Sequence, residues 1–162
     1  MAPIDKFMEY GINFGLATDG AVSNNTLDIM EQMRLLGLYA KFLKSDPTFM
    51  KMDEILDITF RGSARVMHMA DKIGELKEGM LADITLIRQD GTHTTPKADP
   101  LAALIYCSKS SDVDTVLCNG KLLMQGRKLL TLDKEKIQQE VQSRLNRLSK
   151  RLPEERIAFY PG

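Results

Sequence analysis

Few side chains in this 162-residue sequence are suited to chemistry, and one of them stands where a fold would present it. Asp19 closes the run Ile12-Asn13-Phe14-Gly15-Leu16-Ala17-Thr18, which is short, largely apolar and uncharged. A strand buried on both faces, as in a parallel sheet, reads this way. Asp19-Gly20 taken alone is first of all a turn signal. A carboxylate at the C-terminal end of such a strand is nevertheless aimed where α/β barrels bind substrate. The two histidines, His68 and His93, cannot build a site that needs three or four imidazoles. Metal chemistry here must therefore borrow ligands from outside the chain. His68, between Met67 and Met69, reads as a packed or surface histidine. His93, in the Gly91-to-Pro96 loop, has no cysteine or second histidine at ligand spacing. Ser23 has no neighbouring base to make it a nucleophile.

The elements that must position Asp19 follow from periodicity. Ile4, Phe7 and Met8 predict a short amphipathic helix that stops at Gly11. After the strand and Asp19-Gly20, small and polar residues lead to a helix capped by Asn25 or Thr26, with Asp28 in its first turn, running to about Leu43. Its second half, from Leu35 to Leu43, leaves little polar face, so it is expected to be covered on both sides; a ligand groove or a membrane contact is the other reading. Ser45-Asp46-Pro47 breaks the pattern, and a second helix is predicted from Asp53 to Met69.

Near Asp71 the texture changes to short runs punctuated by Gly74, Gly79, Gly91 and Pro96. Leu81 to Ile87 reads as a strand, Asn119-Gly120 as the turn of a hairpin between Val113–Cys118 and Lys121–Met124, and Gln125-Gly126 as a further turn before Lys128. Asp99 to Cys107 is a short helix or a loop. Ile137, Val141, Leu145, Leu148 and Leu152 then mark an amphipathic helix behind Asp133, and Arg144, Arg147, Lys150 and Arg151 near its end read as a solvated face complementing the helix dipole.

Composition excludes several classes. Lys+Arg and Asp+Glu both number 22, so bulk positive charge for nucleic acid is absent. No apolar run approaches the ~18 residues of a spanning helix. Cys107 and Cys118 are too few for a disulfide scaffold and suit a reducing compartment. With no basic and apolar leader pattern at the first residues, a cytoplasmic protein with neither nucleic-acid nor membrane partner is expected.

Gly15-Leu16-Ala17-Thr18-Asp19-Gly20-Ala21-Val22-Ser23-Asn24-Asn25, followed by Leu27-Asp28, resembles the last barrel strand of the amidohydrolase superfamily. The likeness is greatest to the branch of S-adenosylhomocysteine and methylthioadenosine deaminases and triazine chlorohydrolases. It continues through Thr59–Met69, Asp71-Lys72-Ile73-Gly74-Glu75-Leu76, Gly79–Ile87 with Ala82-Asp83, and Val113–Gly120, covering residues 1 to about 145. The resemblance implies a fold that is α/β plus β. The last strand and helix of a (β/α)8 metal-dependent hydrolase barrel would be followed by the C-terminal part of a flanking β-sandwich and a terminal helix. Residues 1–70 would be the barrel piece, 71–132 the share of the sandwich, and 133–162 the helix and tail.

The same resemblance implies hydrolytic deamination of an aminopurine nucleoside, of the adenosine, S-adenosylhomocysteine or methylthioadenosine type. Asp19 would be both a ligand of Zn²⁺ or a similar divalent metal and the proton acceptor. Gly20, Ser23, Asn24 and Asn25 would line the mouth of the site. The histidine ligands and the glutamate acid of intact members have no counterpart in this sequence. The chain alone is thus expected to be inactive and to hold no metal, and to associate with itself or with the missing N-terminal half. A guanine deaminase or an s-triazine chlorohydrolase-like hydrolase is the alternative enzyme. A binding or scaffolding module that has lost catalysis is the alternative of another class.

Overall fold

A computed structural model describes residues 2–151. Helix α1 (Ile4–Glu9) is followed by a turn at Gly11, whose φ of +62° a Cβ would strain, and the Ile12 amide donates back to the Phe7 carbonyl. The chain then runs along the helices as residues 12–20 without regular secondary structure. This corrects the strand expected at Ile12–Thr18. An apolar run becomes a strand only beside another, and no described residue pairs with it.

A single turn, α2 (Ala21–Asn24), precedes α3 (Ile29–Lys44). The cap of α3 is Asp28, not Asn25 or Thr26; Asn25 instead closes α2 in a left-handed conformation that suits asparagine. Met30, Met33, Leu36 and Ala40 of α3 pack with Met50, Ile55, Ile58 and Ile105 to form the core. Gly37 permits this closeness, because a Cβ there would lie 2.7 Å from Ile55 Cδ1. The opposite stripe of α3 is open: Leu35, Leu38 and Phe42 are 49%, 52% and 77% exposed. The cover expected on both sides of this helix is absent among the described residues.

The second helix is continuous from Met52 to Val66 but changes register. It comprises α4 (Met52–Asp57), a π-helical turn (Ile58–Gly62) and α5 (Ser63–Val66). Further on, α6 (Pro100–Ala102), capped by Asp99, passes into a second π-helical turn, Ala103–Cys107, which lies on α3. Four antiparallel strands make the only sheet of the described residues: β1 (Ile84–Ile87), β2 (Val113–Cys118), β3 (Lys121–Gln125) and β4 (Lys128–Leu129), in that order. Asn119 and Gly120 both have positive φ, as a two-residue hairpin turn demands, and the Asn119 amide donates to Asp83 Oδ1 at 2.6 Å. Asp133 accepts from the Lys136 amide at the start of α7 (Lys134–Arg151), whose side chains from Lys134 to Lys150 are exposed, apolar stripe included. Leu152, the last member of that stripe in sequence, lies outside the described residues.

Candidate functional site

Asp19 is positioned through the π-helical turn. That turn brings Gly62 and Ser63 against the backbone of residues 14–16, where the Phe14 carbonyl leaves no room for a Cβ on Gly62. The Leu16 amide donates to Ser63 Oγ at 3.2 Å, and the hydroxyl approaches the Leu16 carbonyl at 3.4 Å. Phe14 and Leu16 turn towards the core. The segment is thus held by one serine and a glycine-lined crossing, in place of strand neighbours.

At its end Asp19 takes φ +60°, a left-handed conformation uncommon for any residue but glycine, asparagine and aspartate. Its Oδ1 accepts the Gly20 amide at 2.6 Å, and Thr18 Oγ1 donates to the Asp19 carbonyl at 3.0 Å. Asp19, Gly20 and Ser23 are exposed. Gly20 starts α2 with its carbonyl accepting from the Ser23 and Asn24 amides, both at 3.0 Å. Asn24 Nδ2 is a buried donor without a hydrogen-bond partner among the described residues. Asn25 turns the chain away. The predicted residues thus form one contiguous, solvent-facing loop with the carboxylate at its head.

The loop ends at Asp28. Its Oδ1 accepts from the amides of Met30 (2.9 Å) and Glu31 (3.2 Å), and its Oδ2 from the amide of Ser110 (3.3 Å). Partial burial pushes this carboxyl up, but hydrogen bonds from Ser110 and from the Glu31 and Met30 amides outweigh it and hold the group below its ordinary range. Sequence spacing placed Asp28 in the first turn of α3 and gave no sign of Ser110, because the two are far apart in the chain.

A second pairing was equally invisible. His93 Nε2 lies 2.8 Å from Asp112 Oδ2, the carboxylate accepting from the imidazole and from the Lys109 amide at 2.8 Å. Burial is the largest single influence and raises the Asp112 carboxyl, but the bond to His93, the Lys109 amide and the charges of both residues together outweigh it, so the group sits below the usual carboxylate range. A histidine–carboxylate pair orients a base, but no serine or cysteine side chain hydrogen-bonds this imidazole among the described residues, so no nucleophile completes it. His68 is exposed beyond α5. No group of three or more His, Cys, Asp or Glu among the described residues can hold a metal ion.

Residues 1–123 match the amidohydrolase family. The chain belongs to that family. Among its amidohydrolase relatives, a 5-methylthioadenosine/S-adenosylhomocysteine deaminase of Acetivibrio thermocellus is 41% identical over 137 residues, 85% of this chain and 32% of the relative. That of Pelotomaculum thermopropionicum is 42% identical over 151 residues, 93% and 35%. The fold matches an adenosine deaminase of Xanthomonas campestris with bound zinc at a TM-score of 0.88, with 26% identity, over 93% of this chain and 34% of that one. An atrazine chlorohydrolase of Arthrobacter aurescens complexed with zinc matches at a TM-score of 0.75 and 30% identity, over 88% and 32%. The chain therefore spans about a third of the length of these amidohydrolases. No helix of the described residues is long and apolar enough to cross a membrane.

Proposed function

We propose that this chain carries the C-terminal share of a cytoplasmic, metal-dependent aminohydrolase acting on an aminopurine nucleoside of the adenosine, S-adenosylhomocysteine or methylthioadenosine type. The carrying observation is Asp19: a family-matched carboxylate, exposed, left-handed in backbone and at the head of an open loop. Residues 1–70 belong to the barrel, 71–132 to the flanking sandwich and 133–162 to the helix and tail. In the reaction class, water adds to the carbon bearing the exocyclic amine, that C–N bond breaks, and ammonia leaves. Asp19 would be one carboxylate ligand of the metal, and it takes the proton of the attacking water and passes it to the departing amine, which leaves as ammonia; Gly20, Ser23, Asn24 and Asn25 line the mouth.

The other metal donors would come from the two thirds of the relatives' length that this chain does not span. The open stripe of α3 and the unpaired residues 12–18 are where that portion packs. A triazine chlorohydrolase-like hydrolase is the second reading, favoured by the 30% identity to the atrazine enzyme over 88% of the chain.

The test is a chimera joining the N-terminal two thirds of the Acetivibrio deaminase to this chain, assayed for ammonia from methylthioadenosine, S-adenosylhomocysteine and adenosine. Release that disappears with Asp19→Asn is expected. A folded, zinc-loaded chimera that dechlorinates a triazine and leaves all three nucleosides intact would overturn the deaminase reading.

A further inference from the structure

We propose that Asp28 is a positioning residue that fastens the mouth loop, residues 20–27, to the segment preceding β2 through the Ser110 amide. This rests on the reading of that loop as the mouth of the site. The hydrogen bonds of residues 21–25 stay within the loop or reach back to Gly20, Thr26 Oγ1 donates to Glu31 Oε2 in the first turn of α3 at 3.1 Å, and Val22 is 95% exposed, so the ends of the loop set where it lies. One end is fixed at Leu16 by Ser63. The other end is Asp28, and its two carboxylate oxygens have separate tasks. Oδ1 caps α3, while Oδ2 reaches Ser110.

The receiving segment is itself firmly held. Arg127 Nη1 donates to the carbonyls of Ser110 (3.0 Å) and Val113 (2.7 Å), and Ser108 is buried with its hydroxyl on the Ala103 carbonyl. Arg34 Nη2, further along α3, donates to the Ser108 carbonyl at 3.0 Å and makes a second tie in the same direction. Asp28 is the tie next to the loop, so the loop takes its setting from the chain that leads into the sheet.

The division of labour allows a selective test. Asp28→Asn keeps an oxygen to cap α3, at which asparagine is as good as aspartate, but replaces the acceptor facing Ser110 with an NH₂ group. Ser110→Pro removes the donor. Ser110 is the first residue of a 3₁₀ turn, a place that tolerates proline, and Lys109 before it is extended at φ −128° and ψ 161°, as proline requires of its predecessor. Amide hydrogen exchange is measured on the full chain for these variants, for their double mutant, and for Asp83→Asn, which removes a similar carboxylate–amide bond at the β2–β3 hairpin.

Asp28→Asn and Ser110→Pro should each speed exchange at Ser23, Asn24 and Asn25 about tenfold, as expected for loss of one charge-assisted bond. The amides of Leu36 to Ala40 should stay protected, the double mutant should add nothing, and Asp83→Asn should leave the loop unchanged. Unchanged loop exchange, additive effects or a uniform rise across α3 would overturn the proposal. In the chimera, Asp28→Asn should raise KM and spare kcat. The exchange result is read without turnover, so an inactive chimera counts against the deaminase reading and leaves the tie intact.

Discussion

A Cβ on Gly15 would stand 2.6 Å from both Cα and Oγ of Ser63. The backbone of residues 14–16 therefore crosses the helix closely, with only the Ser63 hydroxyl between them. The contact lies where the π-helical turn passes into α5, and Gly62 and Ser63 both meet this segment there. The head of the candidate site hangs from that crossing, and its energetics are open to mutation.

Gly15→Ala must move either the segment or the helix, since its obstacles are backbone atoms as well as the serine hydroxyl. A loss of about 1–3 kcal/mol is expected, the usual cost of overpacking. Ser63→Ala removes the acceptor of the Leu16 amide and should cost about 1 kcal/mol. Urea denaturation of the two single variants checks both. A Gly15→Ala variant as stable as the parent would show that the segment does not lie on the helix in solution.

The sequence made α1, both long helices, the Asn119-Gly120 hairpin and the Asp133-capped terminal helix legible, because each is specified by local periodicity and turn chemistry. It misled at Ile12–Thr18, where composition suits a central strand but the ladder partners are no part of the described chain. It misled again along Leu35, Leu38 and Phe42, whose apolarity promised a cover the described residues do not supply. Asp19, Gly20, Ser23, Asn24 and Asn25 could be nominated together from sequence because they are contiguous. The ties Asp28–Ser110 and His93–Asp112 could not, since nothing in local pattern encodes a hydrogen bond across a fold.

The His93–Asp112 tie sets a pH dependence. Asp112 is held below its unfolded value, so the stability it contributes is fully present above the ordinary carboxylate pKa of about 3.9 and is lost as pH falls through the lowered folded value. Asp112→Asn should lower stability by on the order of 1 kcal/mol at pH 7, and that gap should close as the pH drops below about 4. Denaturation midpoints at pH 7, 5 and 3 read this. Parallel pH profiles for the two proteins would show that the pair contributes nothing.

In the chimera, Asp19→Asn removes the proton acceptor and keeps the side-chain oxygen that accepts the Gly20 amide, so the loop should retain its shape. Turnover should fall by about 10²–10⁴-fold, the range that general acid–base catalysis supplies. Near-normal turnover with a well-folded variant would remove Asp19 from the chemistry.

The chain on its own should associate. Residues 12–18 leave backbone donors and acceptors without ladder partners, a template for another strand. The open stripe of α3 adds Leu35, Leu38 and Phe42, and Ile12 is itself 49% exposed. Covering ~500 Å² of such surface is worth on the order of 12 kcal/mol before the entropy of association is charged against it. The contact should centre on residues 4–43, where backbone without ladder partners accompanies the open stripe of α3, and not on α7, which exposes Ile137, Val141, Leu145 and Leu148 but has its backbone bonded within the helix. Replacing Leu38 and Phe42 together by glutamate leaves the buried stripe of Met30, Met33, Leu36 and Ala40 untouched, and like charges facing each other across the contact should dissociate it. Sedimentation equilibrium distinguishes the cases: the parent should run well above 18.2 kDa, and the double variant should shift towards it. A parent that sediments as a clean monomer would mean that the open stripe of α3 and the unpaired segment are stable in water as they stand.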